Sequence, residues 1–308
     1  MGQQHFIEQL NNCTACPHAC GVNRLAGQTG FCRQDAQIRI SYAGLHHGEE
    51  PPLSGSKGSG TIFFIGCNCR CVFCQNSDIS QEFTHTPSQI LTVEQLADEM
   101  IRLQKVGAHN INFVSPSHMV YQMAEAILVA HKQGLTIPVV YNSNGFDSVA
   151  VLKQIRGLID IYLPDLKYID SNLAKTYSAL PSYPQIVPGV LGEMFEQVGL
   201  LDLDRNGIAE AGLIIRHLVL PGALENSKRC LDLIASISVD IPVSLMSQYS
   251  PRYKAVQYEP LCRALKEEEY QDIVAYAEDL GFSSLYVQAM ESQTHYLPDF
   301  FGNSPFEE

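Results

Sequence analysis

From residue 61 onward, the chain alternates short apolar runs with segments in which apolar residues recur at helical spacing. This alternation is typical of repeated βα units, whose strands form a parallel sheet. We predict seven such strands, at residues 61–66, 110–114, 137–141, 159–163, 211–219, 242–246 and 284–288. The pattern predicts an α/β fold and a (β/α) barrel, whole or partial, with its functional residues at the C-terminal ends of the strands.

The helices and turns between these strands carry local signals. Thr92 and Gln95 form a capping-box pattern at the start of the first helix, and Gly107 marks its end. Residues 183–198 are predicted as a helix although they contain two prolines. Residues 201–208 are predicted as a strand that turns at Asn-Gly, so that the fifth barrel strand is entered through a hairpin.

Composition excludes several classes of protein. A chain of 308 residues with 45% hydrophobic content is large enough for a sizeable core. Because its net charge is −13, we do not expect the protein to bind the phosphates of nucleic acid. Residues 1–8 lack a basic region followed by an apolar core, and no apolar run approaches the length of a membrane span. We therefore expect a cytoplasmic protein with neither a nucleic-acid nor a membrane partner.

Three cysteines follow the first predicted strand with the spacing C-x3-C-x2-C, namely Cys67, Cys71 and Cys74. A [4Fe–4S] cluster normally takes four thiolates, so three leave one iron open to another ligand. The alternative is a structural zinc knuckle, which would need a fourth ligand. Cys69 alternates with Cys67 and Cys71, and an extended backbone would point it away from both.

A second cysteine set lies in the N-terminal region with the spacing C-x2-C-x3-C-x11-C, namely Cys13, Cys16, Cys20 and Cys32. Four thiolates close a site, and both zinc and an auxiliary iron–sulfur cluster accept such a set. A redox disulfide pair is the remaining alternative. We expect residues 1–60 to form a Cys-rich metal-binding region, residues 61–290 the barrel and residues 291–308 a C-terminal extension.

Polar residues follow most of the other predicted strands. These candidates are Ser115, Ser117, His118, Asn142, Ser143, Asn144, Asp165, Lys167 and Arg216. Strand ends meet at one face of a barrel, so the set predicts a single site wide enough for a large cofactor. Structural alternatives remain for several members: Asn144 is a common turn residue, His118 can be satisfied by backbone at a helix start, and Arg216 can be a salt-bridge partner.

Several motifs resemble one enzyme family. Residues 49–55 and 58–64, together with the cysteine loop and its ending Cys74-Gln75-Asn76, resemble the pyruvate formate-lyase activating enzyme group of radical S-adenosylmethionine (SAM) enzymes. Residues 16–24, the Ser-Pro-Ser-His segment at 115–118 and residues 246–251 resemble its activase-like branch. The resemblance implies a partial (β/α) barrel of the radical SAM type. It also implies that SAM binds the open iron and that a donor such as flavodoxin or ferredoxin supplies electrons.

The resemblance also implies roles for individual residues. Phe73 would lean on the adenine of SAM, although packing beside a strand explains it equally well. Ser115, Ser117 and His118 replace the Gly-Gly-Glu of the characterised activases, which meets the SAM ammonium group, and they bring no carboxylate. Asn142 and Asp165 are the alternative ammonium partners.

Two further pairs are candidates for contact with the remaining groups of SAM. Ser143 and Asn144 are candidates for the ribose hydroxyls. Lys167 and Arg216 would neutralise a carboxylate, either of SAM or of a substrate.

Three functions remain open at this point. The first is an oxidoreductase that cleaves SAM reductively to a 5′-deoxyadenosyl radical and abstracts a hydrogen from a glycine of a partner protein. The second keeps the radical chemistry but acts on a small molecule or peptide. The third is an iron–sulfur electron carrier or zinc-stabilised adaptor without catalysis, which the ring of polar strand ends disfavours, since a carrier needs no cofactor pocket.

Overall fold

The computed structural model describes residues 6–293, 298–302 and 305–306. Its strands are β1 (Ile38–His46), β2 (Ser59–Phe64), β3 (Gln89–Leu91), β4 (Ile111–Val114), β5 (Val139–Ser143), β6 (Ile161–Pro164), β7 (Asp202–Leu203), β8 (Ala209–Leu213), β9 (Ile215–Leu218), β10 (Val243–Met246) and β11 (Leu285–Val287). Its α-helices are α1 (Pro51–Ser54), α2 (Ser77–Ser80), α3 (Val93–Lys105), α4 (Val120–Lys132), α5 (Val149–Gln154), α6 (Ser171–Ser178), α7 (Tyr183–Val198), α8 (Leu224–Ile237) and α9 (Glu267–Asp279). The expectations for residues 1–8 and 291–308 fall partly outside the described residues.

Two sheets form the wall of the barrel. The larger has the strand order β3-β1-β2-β4-β5-β6-β8-β7, and the smaller has the order β11-β10-β9. Strands β2, β4, β5, β6 and β8 run parallel, and so do β9, β10 and β11. A parallel bridge between Asp165 and Arg216 links the end of β6 to β9. The predicted α/β fold with a partial (β/α) barrel and a Cys-rich N-terminal region is confirmed.

The strand pattern differs from the prediction at two places. Residues 211–219 form two strands, because β8 pairs with β6 whereas β9 pairs with β10. The break lies at Ile214, two residues after Gly212, whose φ of +116° is one that L side chains rarely adopt. Strands β1 and β3 were not predicted. They pair antiparallel at the sheet edge, so the N-terminal region joins the barrel sheet from Ile38 onward.

The predicted caps and hairpin are present. The Thr92 amide donates to Gln95 Oε1 at 2.9 Å, and the Gln95 amide donates to Thr92 Oγ1 at 3.2 Å, which completes the capping box of α3. The segment β7 pairs antiparallel with β8 around a turn in which the Gly207 amide donates to the Asp204 carbonyl. Helix α7 covers residues 183–198 as predicted. Local sequence signals therefore specify these elements.

The core lies between the strands and the helices packed on them. Met119, Met123 and Ile127 of the α4 segment are fully buried, as are Ile273 and Ala277 of α9. These residues recur at helical spacing because one helix face packs on the sheet. Over the part of the chain that the structure describes, no helix is both long enough and apolar enough to cross a membrane.

Candidate active site and second cysteine set

A cavity of about 570 Å³ opens at the C-terminal ends of the barrel strands. The predicted residues that line it are Cys67, Cys71, Phe73, Cys74, Ser115, Asn142, Ser143, Asn144, Asp165, Lys167 and Arg216. Parallel strands end at the same face of the barrel, which is why residues from five segments of the chain meet there. The volume is in the range of pockets that bind cofactors and drug-sized ligands.

The cysteine loop after β2 is held in place by backbone bonds to the end of α6. The Arg70 amide donates to the Ser178 carbonyl at 3.1 Å, and the Val72 amide donates to the Tyr177 carbonyl at 2.8 Å. Gly66 enters the loop with a φ of +86°, where a side chain would be strained. These backbone hydrogen bonds fix the loop to the barrel wall.

Each of the three predicted cluster ligands has a polar neighbour at its sulfur. Asn144 Nδ2 lies 3.5 Å from Cys67 Sγ. Cys71 Sγ lies 3.0 Å from Ser178 Oγ, and Cys74 Sγ lies 3.2 Å from Ser80 Oγ. Three sulfurs that line one cavity, each with a hydrogen-bond partner, fit a cubane cluster bound at three corners, because hydrogen bonds to the sulfurs stabilise the thiolate form.

The protonation equilibria of these thiols differ. A hydrogen bond from the Cys69 side chain, outweighing burial, lowers the pKa of Cys71 to about 6, with further help from the Lys167 charge. The same Cys69 contact lowers the pKa of Cys67. Burial raises the pKa of Cys74 to about 12, so this thiol must lose its proton when a metal binds.

Cys69 does not point away from its neighbours, so the expectation from alternation is wrong. Its amide lies 3.3 Å from Cys67 Sγ, and it lines the same cavity as Cys67 and Cys71. Burial raises the pKa of Cys69 well above its ordinary value, so it stays a neutral donor. The chain bends at Asn68, and side chains of a bent segment no longer alternate between two faces.

The segment after β4 separates into two parts. Ser115 lines the cavity with a left-handed φ of +53°, and its amide donates to the Asn142 carbonyl at 2.8 Å. Ser117 and His118 lie in a buried 3-10 turn and are not among the residues that line this cavity, so their contact with SAM stays a prediction. The left-handed residue followed by Pro116 turns the chain inward at this point.

His118 has a structural contact in this position. Its Nε2 lies 2.9 Å from the Ile65 carbonyl, and burial lowers its pKa to about 4. His118 also helps to line the small cavity that is formed by the second cysteine set. The neutral ring therefore connects the start of the cysteine loop with the N-terminal region.

Asn144 and Ser143 form a turn that also braces the cysteine loop. Asn144 Nδ2 donates to Asn68 Oδ1 at 2.7 Å, and its Oδ1 accepts the Phe146 amide at 2.9 Å. Ser143 Oγ donates to the buried Asp147 at 2.7 Å. These contacts agree with the interpretation of Ser143 and Asn144 as turn residues. Both residues also line the cavity.

Charged residues that line the cavity form three ion pairs. Lys167 Nζ lies 2.5 Å from Asp165 Oδ2. Arg216 pairs with Glu49 and with Glu50, whose Oε2 lies 2.6 Å from its guanidinium. Burial raises the pKa of Glu50, but the Arg216 charge outweighs this effect and keeps that pKa below its ordinary value. Arg216 thus fits the salt-bridge interpretation.

Glu49 and Glu50 were missed as site residues by the sequence analysis. Both line the cavity beside Arg216. The available signal was two adjacent carboxylates directly before Pro51, where helix α1 begins. Phe73, which was predicted, also lines the cavity, with its ring centroid 6.1 Å from that of Tyr249.

The second cysteine set surrounds a much smaller cavity of about 10 Å³. Its walls are formed by Cys13, Cys16, Cys20 and Cys32 together with Arg24, His118 and neighbouring small residues. Burial raises the pKa of Cys16 to about 12, and the nearby Cys32, Cys13 and Cys20 thiols raise it further. Four neighbouring thiols resist joint ionisation unless a cation is bound, which is the usual behaviour of a metal site. Among the described residues, no group of His, Cys, Asp or Glu has the spacing of a single-ion site.

Comparisons with known proteins give three findings. Residues 61–189 match the family described as the radical SAM superfamily. An uncharacterised protein of Methanocaldococcus jannaschii is 33% identical over 286 residues, which is 90% of this chain and 77% of that protein. SuiB of Streptococcus suis, solved with the precursor peptide SuiA, matches with a TM-score of 0.50 and 10% identity over 73% of this chain and 47% of its own.

A further solved structure is methylornithine synthase (PylB), with a TM-score of 0.48 and 15% identity over 69% of this chain and 59% of that one. This chain therefore spans less than two thirds of either solved protein. At 10% identity, the likeness to SuiB shows a shared fold alone.

Proposed function

This chain belongs to the radical SAM superfamily, and we propose that it is an oxidoreductase that cleaves SAM reductively and uses the 5′-deoxyadenosyl radical to abstract a hydrogen atom. The observation that carries the proposal is that Cys67, Cys71 and Cys74 line one cavity at the strand ends. A [4Fe–4S] cluster held there would supply the electron and one open coordination position.

The residues of the cavity have separate tasks in this proposal. Asn144 and the Cys69 amide, which lies 3.3 Å from Cys67 Sγ, orient that thiolate. Ser178 and Ser80 do the same for the other two ligands. Fixed hydrogen-bond donors hold the sulfurs in place and stabilise their negative charge.

The pair Asp165 and Lys167 suits the methionine end of SAM. Its carboxylate and ammonium lie side by side on the cavity wall and match the ammonium and carboxylate of an α-amino acid. Ser115 is the nearest replacement for the Gly-Gly-Glu of related activases and adds a neutral oxygen. Phe73 offers an apolar ring for the adenine, consistent with its place on the same surface.

The hydrogen donor is either a small molecule or peptide, or a glycine of a partner protein. One observation favours the former. Pro298 and Phe306 from the C-terminal segment line the cavity, and the Phe306 ring lies 4.1 Å from His46 and 5.5 Å from Phe63. Residues of this segment therefore form part of the cavity wall, beside which a small molecule or peptide fits more readily than a folded protein.

The experiment is anaerobic reconstitution followed by incubation with dithionite and SAM. We expect 5′-deoxyadenosine and methionine in equal amounts, measured by liquid chromatography and mass spectrometry. Adding glycyl-radical proteins of the same organism and recording electron paramagnetic resonance (EPR) spectra tests the partner-protein alternative. A glycyl doublet would establish that target, whereas a protein with a full cluster and no deoxyadenosine under any condition would refute the proposed function.

A further inference from the structure

One part of the cavity surface has no task in the proposed function. It consists of Glu49 and Glu50, from the turn before α1, and of a row of residues in register across the smaller sheet. In that row Arg216 of β9 pairs with Ser244 of β10, and Ser244 pairs with Tyr286 of β11. All five residues line the cavity, and we call them the carboxylate wall. Register partners present their side chains on one face of a sheet, so the sheet itself builds this surface.

Two nearly buried carboxylates share one guanidinium in this wall. Arg216 Nε donates to Glu50 Oε1 at 2.8 Å, and Arg216 Nη2 donates to Glu50 Oε2 at 2.6 Å, which makes a bidentate pair. The same Nη2 also donates to Glu49 Oε2. The side chains of Glu49 and Glu50 are only 7% and 6% exposed. Glu49 is therefore a carboxylate with little solvent and only a shared cation.

The charges around the cavity do not balance. Among the described residues that line it, the carboxylates of Glu49, Glu50 and Asp165 face the two cations Lys167 and Arg216. His46 adds no positive charge at neutral pH, because burial lowers its pKa below the ordinary value. A carboxylate with little solvent and no cation of its own is costly in free energy. The cavity is thus complementary to a ligand with a positive charge.

A second, independent observation concerns a buried amide. Asn112 is fully buried, and its Nδ2 donates to Glu49 Oε1 at 3.0 Å, while its Oδ1 meets no hydrogen-bond donor among the described residues. Val114 of the same strand lines the cavity, and residues two apart in a strand share a face, so Asn112 points toward the barrel interior from the layer below. The unsatisfied atom beside Glu49 is an acceptor, which points to a ligand that donates hydrogen bonds.

Aromatic rings next to the carboxylates suit an organic cation. Phe63 and Phe306 line the cavity with ring centroids 5.5 Å apart, and the Phe306 ring lies 4.1 Å from that of His46, on whose pKa the Glu49 charge acts. Such rings contact apolar groups and attract a cation over their faces. A metal ion is the other kind of cation, but no group of His, Cys, Asp or Glu in the described part of the chain could hold one.

We propose that the substrate carries an ammonium or guanidinium group, which Glu49 and Glu50 bind beside Arg216 while Phe63 and Phe306 contact its apolar part. Glu49 is the main determinant, because Glu50 is already engaged by both nitrogens of the bidentate pair. The inference rests on the proposed function, since that function makes this cavity the place of reaction. The charge preference of the wall can be measured without the reaction.

Three probes with a common phenyl body and different charge test this preference. Phenethylammonium, phenethyl alcohol and phenylacetate are titrated by calorimetry into the anaerobically reconstituted protein, with saturating SAM and without reductant. Phenethylammonium should bind about tenfold more tightly than the alcohol, because hydrogen bonds to a charged group are lost in the alcohol, and phenylacetate should bind most weakly. Undetectable binding of the ammonium, equal binding of ammonium and alcohol, or a preference that disappears when SAM is present would overturn the inference.

Variants of Glu49 assign the preference to the wall. Glu49→Gln should bind the ammonium and the alcohol equally, because it keeps the shape of the side chain and removes its charge. The matched control is Glu210→Gln, which changes the net charge identically at an exposed residue of β8 outside this cavity. Glu49→Asp should keep the preference, which separates loss of charge from loss of folding. Full preference in Glu49→Gln, or none in Glu49→Asp, would refute the assignment.

Deoxyadenosine formation with dithionite and SAM is scored separately on the wild type. A protein that prefers the ammonium but forms no deoxyadenosine would refute the proposed function and leave the cation site in place. A protein that forms deoxyadenosine but binds phenylacetate more tightly than the ammonium would refute the cation site alone.

Discussion

The N-terminal cysteine set packs on the loop that carries Cys67, Cys71 and Cys74, but the sulfurs of the two sets face different surroundings. Cys67, Cys71 and Cys74 line a cavity of about 570 Å³, whereas the N-terminal four surround a cavity of about 10 Å³. Room beside the ligands allows a second molecule to bind the metal, and a closed set allows only electron storage or structural support. The free volume next to the thiols therefore distinguishes the chemistry of the two regions more than the number of cysteines does.

The largest expected effect is loss of SAM cleavage when one of the three cysteines that line the larger cavity is removed. Replacing Cys67, Cys71 or Cys74 by Ala should abolish deoxyadenosine formation, because the cluster loses a corner. The measurement is product formation by mass spectrometry, with Cys262→Ala as the control. Product formation at the wild-type level in any of the three variants would remove that residue from the ligand set.

A second prediction concerns the contact between Asp165 and SAM in the cavity beside Cys67, Cys71 and Cys74. Asp165→Asn should weaken SAM affinity by about 2 kcal/mol in calorimetry, since a charge-assisted hydrogen bond is lost. Ser117→Ala is the control, because Ser117 is buried and is not among the residues that line this cavity. Unchanged affinity in Asp165→Asn would move the ammonium contact to Ser115 or Asn142.

A third prediction measures how tightly the two regions are packed together. Gly66→Ala should lower the free energy of unfolding by about 1–3 kcal/mol more than Gly157→Ala, because its Cβ would crowd the Cys32 carbonyl and Gln34. Both glycines have positive φ, +86° and +81°, but Gly157 has no neighbouring atom within 4 Å of its added Cβ. Denaturant unfolding gives both values. Equal losses would mean that the contact between the regions is loose.

The smallest expected effect is a pH shift on removing Cys69. The Cys69 hydrogen bond is the main cause that lowers the pKa of Cys71 from 9.0 to about 6, so thiolate is available above that pH in the wild type. In Cys69→Ala the pKa should rise, and cluster assembly should require higher pH, because the ligand must be deprotonated. Deoxyadenosine formation should persist once the cluster is loaded. Iron incorporation measured across pH checks the shift, and complete loss of iron at every pH would make Cys69 a ligand.

Much of the fold follows from local patterns. The capping box at Thr92, the helix at residues 183–198 and the hairpin before β8 were all predictable, because each depends on residues close in sequence. Strand β1 was not, since it lies in a Gly-rich and Cys-rich region and pairs antiparallel at the sheet edge. The break between β8 and β9 was missed because it depends on which neighbour each half pairs with.

The site shows the same division. Cys67 and Asp165 follow predicted strands, and strands of a barrel end at one face, whereas Phe73 was a candidate through the family resemblance. Ser117 and His118 follow a strand as well, but the left-handed backbone at Ser115 turns them inward. Such a turn depends on local backbone geometry that residue spacing does not reveal.

The sequence by itself determined the order of βα units and the number and spacing of thiols in each set, because periodicity and spacing act over a few residues. Only the tertiary structure decided that Cys69 faces Cys67 and Cys71, and that the two sets touch. His18 and Asn68 are 50 residues apart in the chain yet 2.8 Å apart in space. Contacts at that separation result from how the N-terminal region packs on the barrel, and packing depends on shape and burial across the whole core.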